Sequence, residues 1–298
     1  MRYKGKIALL SVAIIWGLAI VFQSVGMQWI GPWTFNVFRF LLGFLLLVPL
    51  WLRKRGLLSD CVLMLFPAAI CGVILALATG LQLIGLRTEL SGKVGFMTTT
   101  YYVFVPLIES LGGRKIPMRI WAGVVVAAAG MFLLCGFLEG TGSKVDGILL
   151  ASAFGFALHI IALKHLSLGF DSIQFSALQY FFAMLVSLIL TLGFEQVSFS
   201  HLLSASNMVL YSGFVACGVG FTLQTIGQKT ESNTTTSLIL SLEAVFSVVF
   251  GYVILSERLT YLDILGCLLI IGGCVLANYS DSSGKALSKV FGKHLKCK

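Results

Sequence analysis

The stretch LQLIGLRTE, Leu81 to Glu89, returns as LQTIGQKTE, Leu223 to Glu231, with three substitutions in nine residues. Self-similarity at a fixed offset marks an internally duplicated fold, and here the offset is 142, from position 81 to position 223. Two further matches follow in the same order. GPWTFNVFRF at Gly31 to Phe40 lies over DSIQFSALQY at Asp171 to Tyr180 at an offset of 140, which sets Phe35 over Phe175, Arg39 over Gln179 and Phe40 over Tyr180. GRKIPMRIWAG from Gly113 lies over SERLTYLDILG from Ser256 at an offset of 143, bringing Gly123 over Gly266. The chain reads as two copies of one unit, 1–142 and 143–282, followed by a basic tail over 283–298.

Composition says where the duplicated unit sits. The 298 residues are 58% hydrophobic and 11% charged, with a mean hydropathy of +0.97. A water-soluble globule carries about 25% charged residues and has no interior large enough for so much apolar surface. Apolar runs long enough to cross a hydrocarbon core of ~30 Å, about 20 residues each, recur along the whole chain. They are placed at 7–26, 34–52, 61–84, 94–111, 119–138, 146–164, 172–193, 207–227, 236–255 and 261–279. The fold class predicted is an all-α membrane protein of ten transmembrane helices, five per repeat. The first run follows a basic start, but its length and the lack of a small-x-small cleavage site make it a span rather than a signal peptide.

Orientation follows from the cations. With a cytoplasmic amino terminus, sixteen basic residues face inward: Arg2, Lys4, Lys6, Arg53, Lys54, Arg55, Arg114, Lys115, Arg119, Lys164, Lys229 and the tail lysines 285, 289, 293, 296 and 298. Only Arg87, Lys93, Lys144 and Arg258 face outward. That asymmetry is the positive-inside rule, and it puts both termini in the cytoplasm. The net charge of +9 is then a topology signal and an attraction to anionic lipid, not a nucleic-acid footprint. Five spans per repeat is an odd number, so the second copy enters the membrane from the opposite side. The halves are related by a pseudo-two-fold axis in the membrane plane, a recurring architecture of secondary transporters.

Several chemistries are disfavoured. The seven cysteines are odd in number, mostly within or at the ends of apolar runs, and make neither a disulfide framework nor a CxxC metal site. The four histidines form no HExxH, so no metal and no cofactor is expected. GLRTELSGK, Gly85 to Lys93, does not satisfy the phosphate-loop pattern, which speaks against an ATP-driven pump. No convergent nucleophile and base emerges, so an enzyme is not expected.

The residues also resemble a known family, the drug/metabolite transporter superfamily and specifically its paired EamA-domain permeases. IIWGLA from Ile14, TFNVFRFLLG from Thr34, the repeated LQxIGx[RK]TE phrase and SLILSLEAVFSVVFGYVILSERLTYLDILGCLLIIGGCVL from Ser237 carry the likeness. It implies ten helices, cytoplasmic termini, a bacterial inner-membrane location and passage of small metabolites, often amino acids. Family members commonly carry proline after the glutamate of the ninth span, where this chain has Ala244; a proline-dependent break there is placed in doubt.

Polar residues at membrane depth are the candidate solute contacts. Arg39 is costly in lipid unless paired, facing a cavity or snorkelling, and reads as a carboxylate ligand or as a helix-end anchor. Glu243 reads as a proton-coupling or substrate-amine site, or as a structural carboxyl. His159 is a mid-span imidazole, a cavity residue or one satisfied by a neighbouring carbonyl. Trp16 and Tyr101, with Tyr102 and Tyr180, are candidate aromatic walls. Asn36, Thr98, Gln179, Gln82 and Gln224 are candidate donors and acceptors, or interhelical hydrogen bonds. Gly85 and Gly227 are expected to end their helices in left-handed turns, with Ser91 and Ser232, Asn233 or Thr234 as N-caps of the next span.

Taken together these point to a monomeric transporter of small, neutral or zwitterionic organic solutes by alternating access, with protons as candidate coupling ion. A lipid-linked-substrate flippase and a non-catalytic channel stay open as alternatives.

Overall fold

The computed structural model describes residues 4–53, 58–134, 144–258 and 260–278. Arg2, Lys54, Arg55, the 142/143 division, the expected ends of the fifth and tenth spans and the tail over 283–298 lie outside the described residues. All regular structure among the described residues is helical. The first half contains α1 (Lys4–Gly26), α2 (Pro32–Arg53), α3 (Leu58–Gly85), the pair α4 (Ser91–Thr99) and α5 (Tyr101–Leu111), and α6 (Met118–Leu134). The second half contains α7 (Lys144–Leu166), α8 (Ser172–Phe194) and the short α9 (Phe199–Ser204). A composite helix follows, made of α10 (Ser206–Leu210), a π-helical stretch (Tyr211–Phe221) and α11 (Thr222–Gln228). The pair α12 (Asn233–Leu240) and α13 (Leu242–Leu255), and then α14 (Tyr261–Asn278), complete it.

Seven helical stretches are long and apolar enough to cross a membrane, and α6 and α14 add shorter apolar runs, Met118–Leu133 and Ile264–Ala277. The pair α4 and α5 makes a tenth crossing, interrupted at Thr100. The surface is apolar and the interior carries the polar groups, the reverse of a soluble protein. Leu52, Phe66, Leu192 and Phe199 are largely exposed, whereas Asn36, Ser152, Ser176, Gln179, Ser187 and Thr236 are fully buried. Only a hydrocarbon solvent makes that arrangement favourable; the protein is an integral membrane protein.

Side-chain contacts show the inversion directly. A methyl placed on Gly123 would lie 2.6 Å from the Gly273 carbonyl oxygen, and one on Gly130 would lie 2.6 Å from that of Gly266. Gly123 corresponds to Gly266 and Gly130 to Gly273 at the offset of 143, so a two-fold rotation exchanges the two contacts. Helices α6 and α14 therefore run antiparallel across the axis, held by van der Waals contact along a stripe of small residues. The same exchange relates Gly72, which abuts the Gln179 carbonyl and Phe182, to Gly213, which abuts the Arg39 carbonyl and Leu42. Helices α2 and α8 meet on the axis too, where the rings of the equivalent residues Phe40 and Tyr180 stack with centroids 6.4 Å apart.

Both half-helix pairs break at corresponding places, one residue apart in the register of the repeat. Thr100 (φ −54, ψ −12) separates α4 from α5, and Ser241 (φ −60, ψ −16) separates α12 from α13. The cause is chemical. Thr98, Thr99 and Thr100 donate back to the carbonyls of Val94, Phe96 and Met97, and Ser237, Ser241 and Ser247 to those of Thr234, Leu238 and Ala244. Such bonds compete with the helical ladder and bend it. The second break exists without a proline at position 244, so the break itself does not depend on one.

The helix junctions of the opening phrase are not as expected in detail. Neither Gly85 nor Gly227 is left-handed. Each is a close-packing point: a methyl on Gly85 would lie 2.4 Å from Leu149 Cδ2 and one on Gly227 would lie 3.1 Å from Leu9 Cγ, and Leu9 and Leu149 are themselves equivalent. Ser232 does cap α12, accepting from the Thr235 amide at 3.1 Å. Ser91 caps nothing; it lies inside α4 and donates to Glu257 at 2.7 Å.

Candidate functional site

A narrow cavity of about 30 Å³ lies between the halves, room for roughly one or two waters, so a bound solute has to widen it. Helix α1 contributes Trp16, Ala19, Ile20 and Gln23, residues spaced to share one helical face, and α2 contributes Arg39. Helix α3 adds Thr79 and Gln82, α7 adds Phe156, and the π-helical stretch adds Ser212, Ala216, Cys217 and Phe221. The two broken crossings each deliver one residue just past the break, Tyr101 and Glu243. Discontinuous helices opening onto a cavity at this depth are where transporters place their solute sites.

The π-helical register follows from its neighbours. Small residues line it: Gly213 admits Leu42, Gly218 admits Leu46, and Gly220 leaves room for the Trp16 indole. The Trp16 Nε1–H donates to the Ala216 carbonyl at 3.1 Å, and its ring packs on Phe221 with centroids 4.5 Å apart. Single-turn π distortions recur at functional sites; here the stretch forms one whole wall.

The polar lining is only partly satisfied. Arg39 is 3% exposed, its guanidinium lies 4.7 Å from the centre of the Phe40 ring, and its Nε and Nη2 have no hydrogen-bond partner. Gln23 Oε1 and Ser212 Oγ are likewise without partners. Glu243 is 4% exposed and lies within electrostatic reach of Tyr101, yet Arg39 and Glu243 make no ion pair with each other within 4 Å. Gln82 is anchored by donating to Thr98 Oγ1 at 3.2 Å. Buried polar groups are nearly always hydrogen-bonded, so this concentration of open donors and acceptors in one chamber is the feature a solute would complete. One cation and one acid line the chamber, Arg39 and Glu243, and they are not paired with each other.

Of the sequence candidates, Trp16, Arg39, Gln82, Tyr101 and Glu243 come together on the cavity. Five others do not. Asn36 donates to Thr79 Oγ1 at 3.2 Å and Thr98 braces Gln82. His159 and Gln179 bond each other at 3.2 Å, and Gln224 is buried in α11 outside the lining. Tyr180 is satisfied by the Cys217 carbonyl and Thr222, and Tyr102 faces a separate pocket beside Met131. Sequence reasoning passed over Gln23, Thr79, Phe156, Ser212, Cys217 and Phe221. One was visible in the repeat: Phe156 is the equivalent of Trp16.

Polar clasps close the bundle at each end. At one, Glu109 accepts from Asn233 Nδ2 at 3.0 Å and Thr234 Oγ1 at 2.8 Å and pairs with Arg114, tying the end of α5 to the start of α12. At the other, Glu257 accepts from Ser91 at the start of α4, the equivalent of Asn233. Position 251, equivalent to Glu109, is glycine, and the Glu257 carboxylate fills the space where a side chain there would go, 2.4 Å from an added methyl.

Comparison with known proteins places the chain among transporters. A transporter of Archaeoglobus fulgidus, itself uncharacterized, is 26% identical over 282 residues, covering 93% of this chain and 86% of that protein. The uncharacterized transporter YoaV of Bacillus subtilis is 25% identical over 289 residues, covering 95% and 99%. One solved crystal structure superposes with a TM-score of 0.76 over 93% of this chain and 97% of that one at 17% identity, a likeness of fold. The profile of the EamA-like transporter family matches residues 3–136 and again residues 144–279; the chain is a membrane transporter and belongs to the EamA-like transporter family.

Proposed function

We propose that this transporter is a carrier for small organic solutes that bear both a carboxylate and an amine, amino acids and close relatives foremost. The observation that carries this reading is the presence in one cavity of two opposite charges not paired with each other, Glu243 and Arg39, the latter with Nε and Nη2 free of hydrogen-bond partners. A guanidinium edge matches a carboxylate with two parallel hydrogen bonds, and Glu243 suits an ammonium. The aromatic rings of Trp16, Tyr101, Phe156 and Phe221 suit an apolar side chain or a cation. Movement is by alternating access, each half in turn adopting the other's conformation. Glu243 is the proposed site of proton coupling.

The carrier works as a monomer in the bacterial inner membrane, with its contacts to the bilayer made by the exposed apolar surface and both termini in the cytoplasm. The sixteen-to-four division of cations across the loops supports that orientation. No cofactor takes part in the proposed cycle.

Thermal-shift screening of the purified protein against a metabolite library, followed by counterflow in proteoliposomes, tests the reading. Stabilisation by amino acids and saturable counterflow are expected. Shifts with phosphorylated sugars alone would remove the substrate class; continuous conductance in planar bilayers would make it a channel. Activity on lipid-linked substrates only would make it a flippase.

A further inference from the structure

Three pairs of equivalent residues line the cavity together: Trp16 with Phe156, Thr79 with Phe221, and Tyr101 with Glu243. The pseudo-two-fold axis therefore passes through the chamber. Ala19, Arg39 and Gln82 line it without their counterparts, which are His159, Gln179 and Gln224 at offsets of 140, 140 and 142. Those three lie just behind the wall. The His159 ring meets Phe221 edge-on at 6.2 Å, its Nε2 is 3.2 Å from Gln179 Oε1, and Gln224 follows Phe221 by one turn of the same composite helix. Their side chains are 1%, 0% and 1% exposed, yet Gln179 Nε2 and Gln224 Oε1 have no hydrogen-bond partner. Lipid-buried amide atoms left open at the positions the axis maps onto the cavity lining need an explanation, and a second state supplies one.

We infer that His159, Gln179 and Gln224 form a second, uncharged solute subsite, which opens when the two halves exchange conformations and takes the polar end of the solute from Arg39 and Gln82. The Phe221 ring, packed between Trp16 and His159, is the partition between the two. The inference rests on the alternating-access reading above and adds an asymmetry to it. On one face a guanidinium holds the anionic end; on the other an imidazole and two carboxamides do, so a carboxylate is bound more tightly on the Arg39 face.

The subsite is tested without knowing the solute. Gln82→Cys, Gln179→Cys and Gln224→Cys are made in the full chain and treated, in right-side-out and everted membrane vesicles, with a membrane-impermeant cationic thiosulfonate. Peptide mass spectrometry reads each site apart from the native cysteines. Gln82→Cys is expected to react only from the face carrying the α3–α4 connection, and Gln179→Cys and Gln224→Cys only from the face carrying the α11–α12 connection. Adding Glu109→Ala, which loosens the clasp on that second face, should raise the latter two rates severalfold and lower the first. If Gln179→Cys and Gln224→Cys stay unreactive from both faces in that background while Gln82→Cys reacts, the three residues are core and the inference is overturned. Reaction of all three from one face overturns it as well. If Gln82→Cys itself reacts from neither face, the cavity is not a solute path, and the reading beneath the inference fails first.

Discussion

Tyr101 and Glu243, 142 residues apart, occupy equivalent positions in the two halves and line the same cavity within electrostatic reach of each other. A near-symmetric scaffold thus presents a phenol from one repeat and a carboxyl from the other, and only the second can trade a proton for a solute. Glu243→Gln keeps the shape and removes that exchange. It is expected to abolish solute accumulation driven by an imposed pH gradient and to weaken, by the loss of the ammonium partner, the counterflow of amine-bearing solutes. Undiminished gradient-driven uptake by the variant would dispose of Glu243 as the coupling group.

Arg39 is the other half of the site. Its open Nε and Nη2 are proposed to take the solute carboxylate, and a hydrogen bond to a charged group contributes about 1.5–3 kcal/mol. Arg39→Gln should therefore weaken binding of carboxylate-bearing solutes by about ten- to a hundredfold, since ~1.4 kcal/mol is a factor of ten. Amine analogues lacking the carboxylate should bind the variant and the parent alike. Equal losses for both in isothermal titration would mean that Arg39 serves the fold, not the solute.

Much of this architecture is legible in the chain because membrane proteins write their constraints in plain periodicities: apolar runs of fixed length, cations on one side, and a duplication with an odd number of spans. Arg39 and Glu243 could be singled out because charge at membrane depth is costly enough to require a reason. The choice between halves was not legible. Gln82 and Gln224 are equivalent in sequence, and only the conformation adopted puts the first on the cavity and leaves the second behind it. Gln23 was overlooked for a local reason: three residues from the end of α1, it reads as interfacial, and only the packing of α1 against its neighbours turns it inward.

The α6–α14 seam gives a test of packing alone. Gly123 and Gly130 approach the Gly273 and Gly266 carbonyls too closely for any side chain, and inserting bulk into a packed contact costs about 1–3 kcal/mol. Gly123→Leu and Gly130→Leu are expected to lower the thermal unfolding midpoint of the purified protein. Gly147→Ala, on α7 with nothing within 4 Å of an added methyl, should be neutral or slightly stabilising. A Gly123→Leu protein as stable as the parent would contradict the close approach of the two helices.

Glu195 caps a helix to which it does not belong. Its carboxylate accepts from the Trp33 and Thr34 amides at 2.9 and 2.8 Å and from Thr34 Oγ1 at 2.7 Å, satisfying the first turn of α2. Helix α8, the equivalent of α2, is capped by its own Asp171, which accepts from the Ile173 and Gln174 amides. The position equivalent to Asp171 is Gly31, and the Glu195 carboxyl carbon lies 2.2 Å from where a methyl on Gly31 would sit. One repeat thus carries its cap locally and the other imports it, into space that the local residue has vacated. Removing a cap costs about 0.5–2 kcal/mol, so Glu195→Ala should destabilise the protein by that amount. Gly31→Asp alone should also destabilise it, because the new side chain meets the Glu195 carboxylate at close range. The double variant restores the arrangement of α8 and is expected to recover most of the stability lost by either single change in thermal unfolding. A double variant no better than the worse single one would show that the two caps are not interchangeable and that the equivalence of Gly31 and Asp171 ends at the backbone.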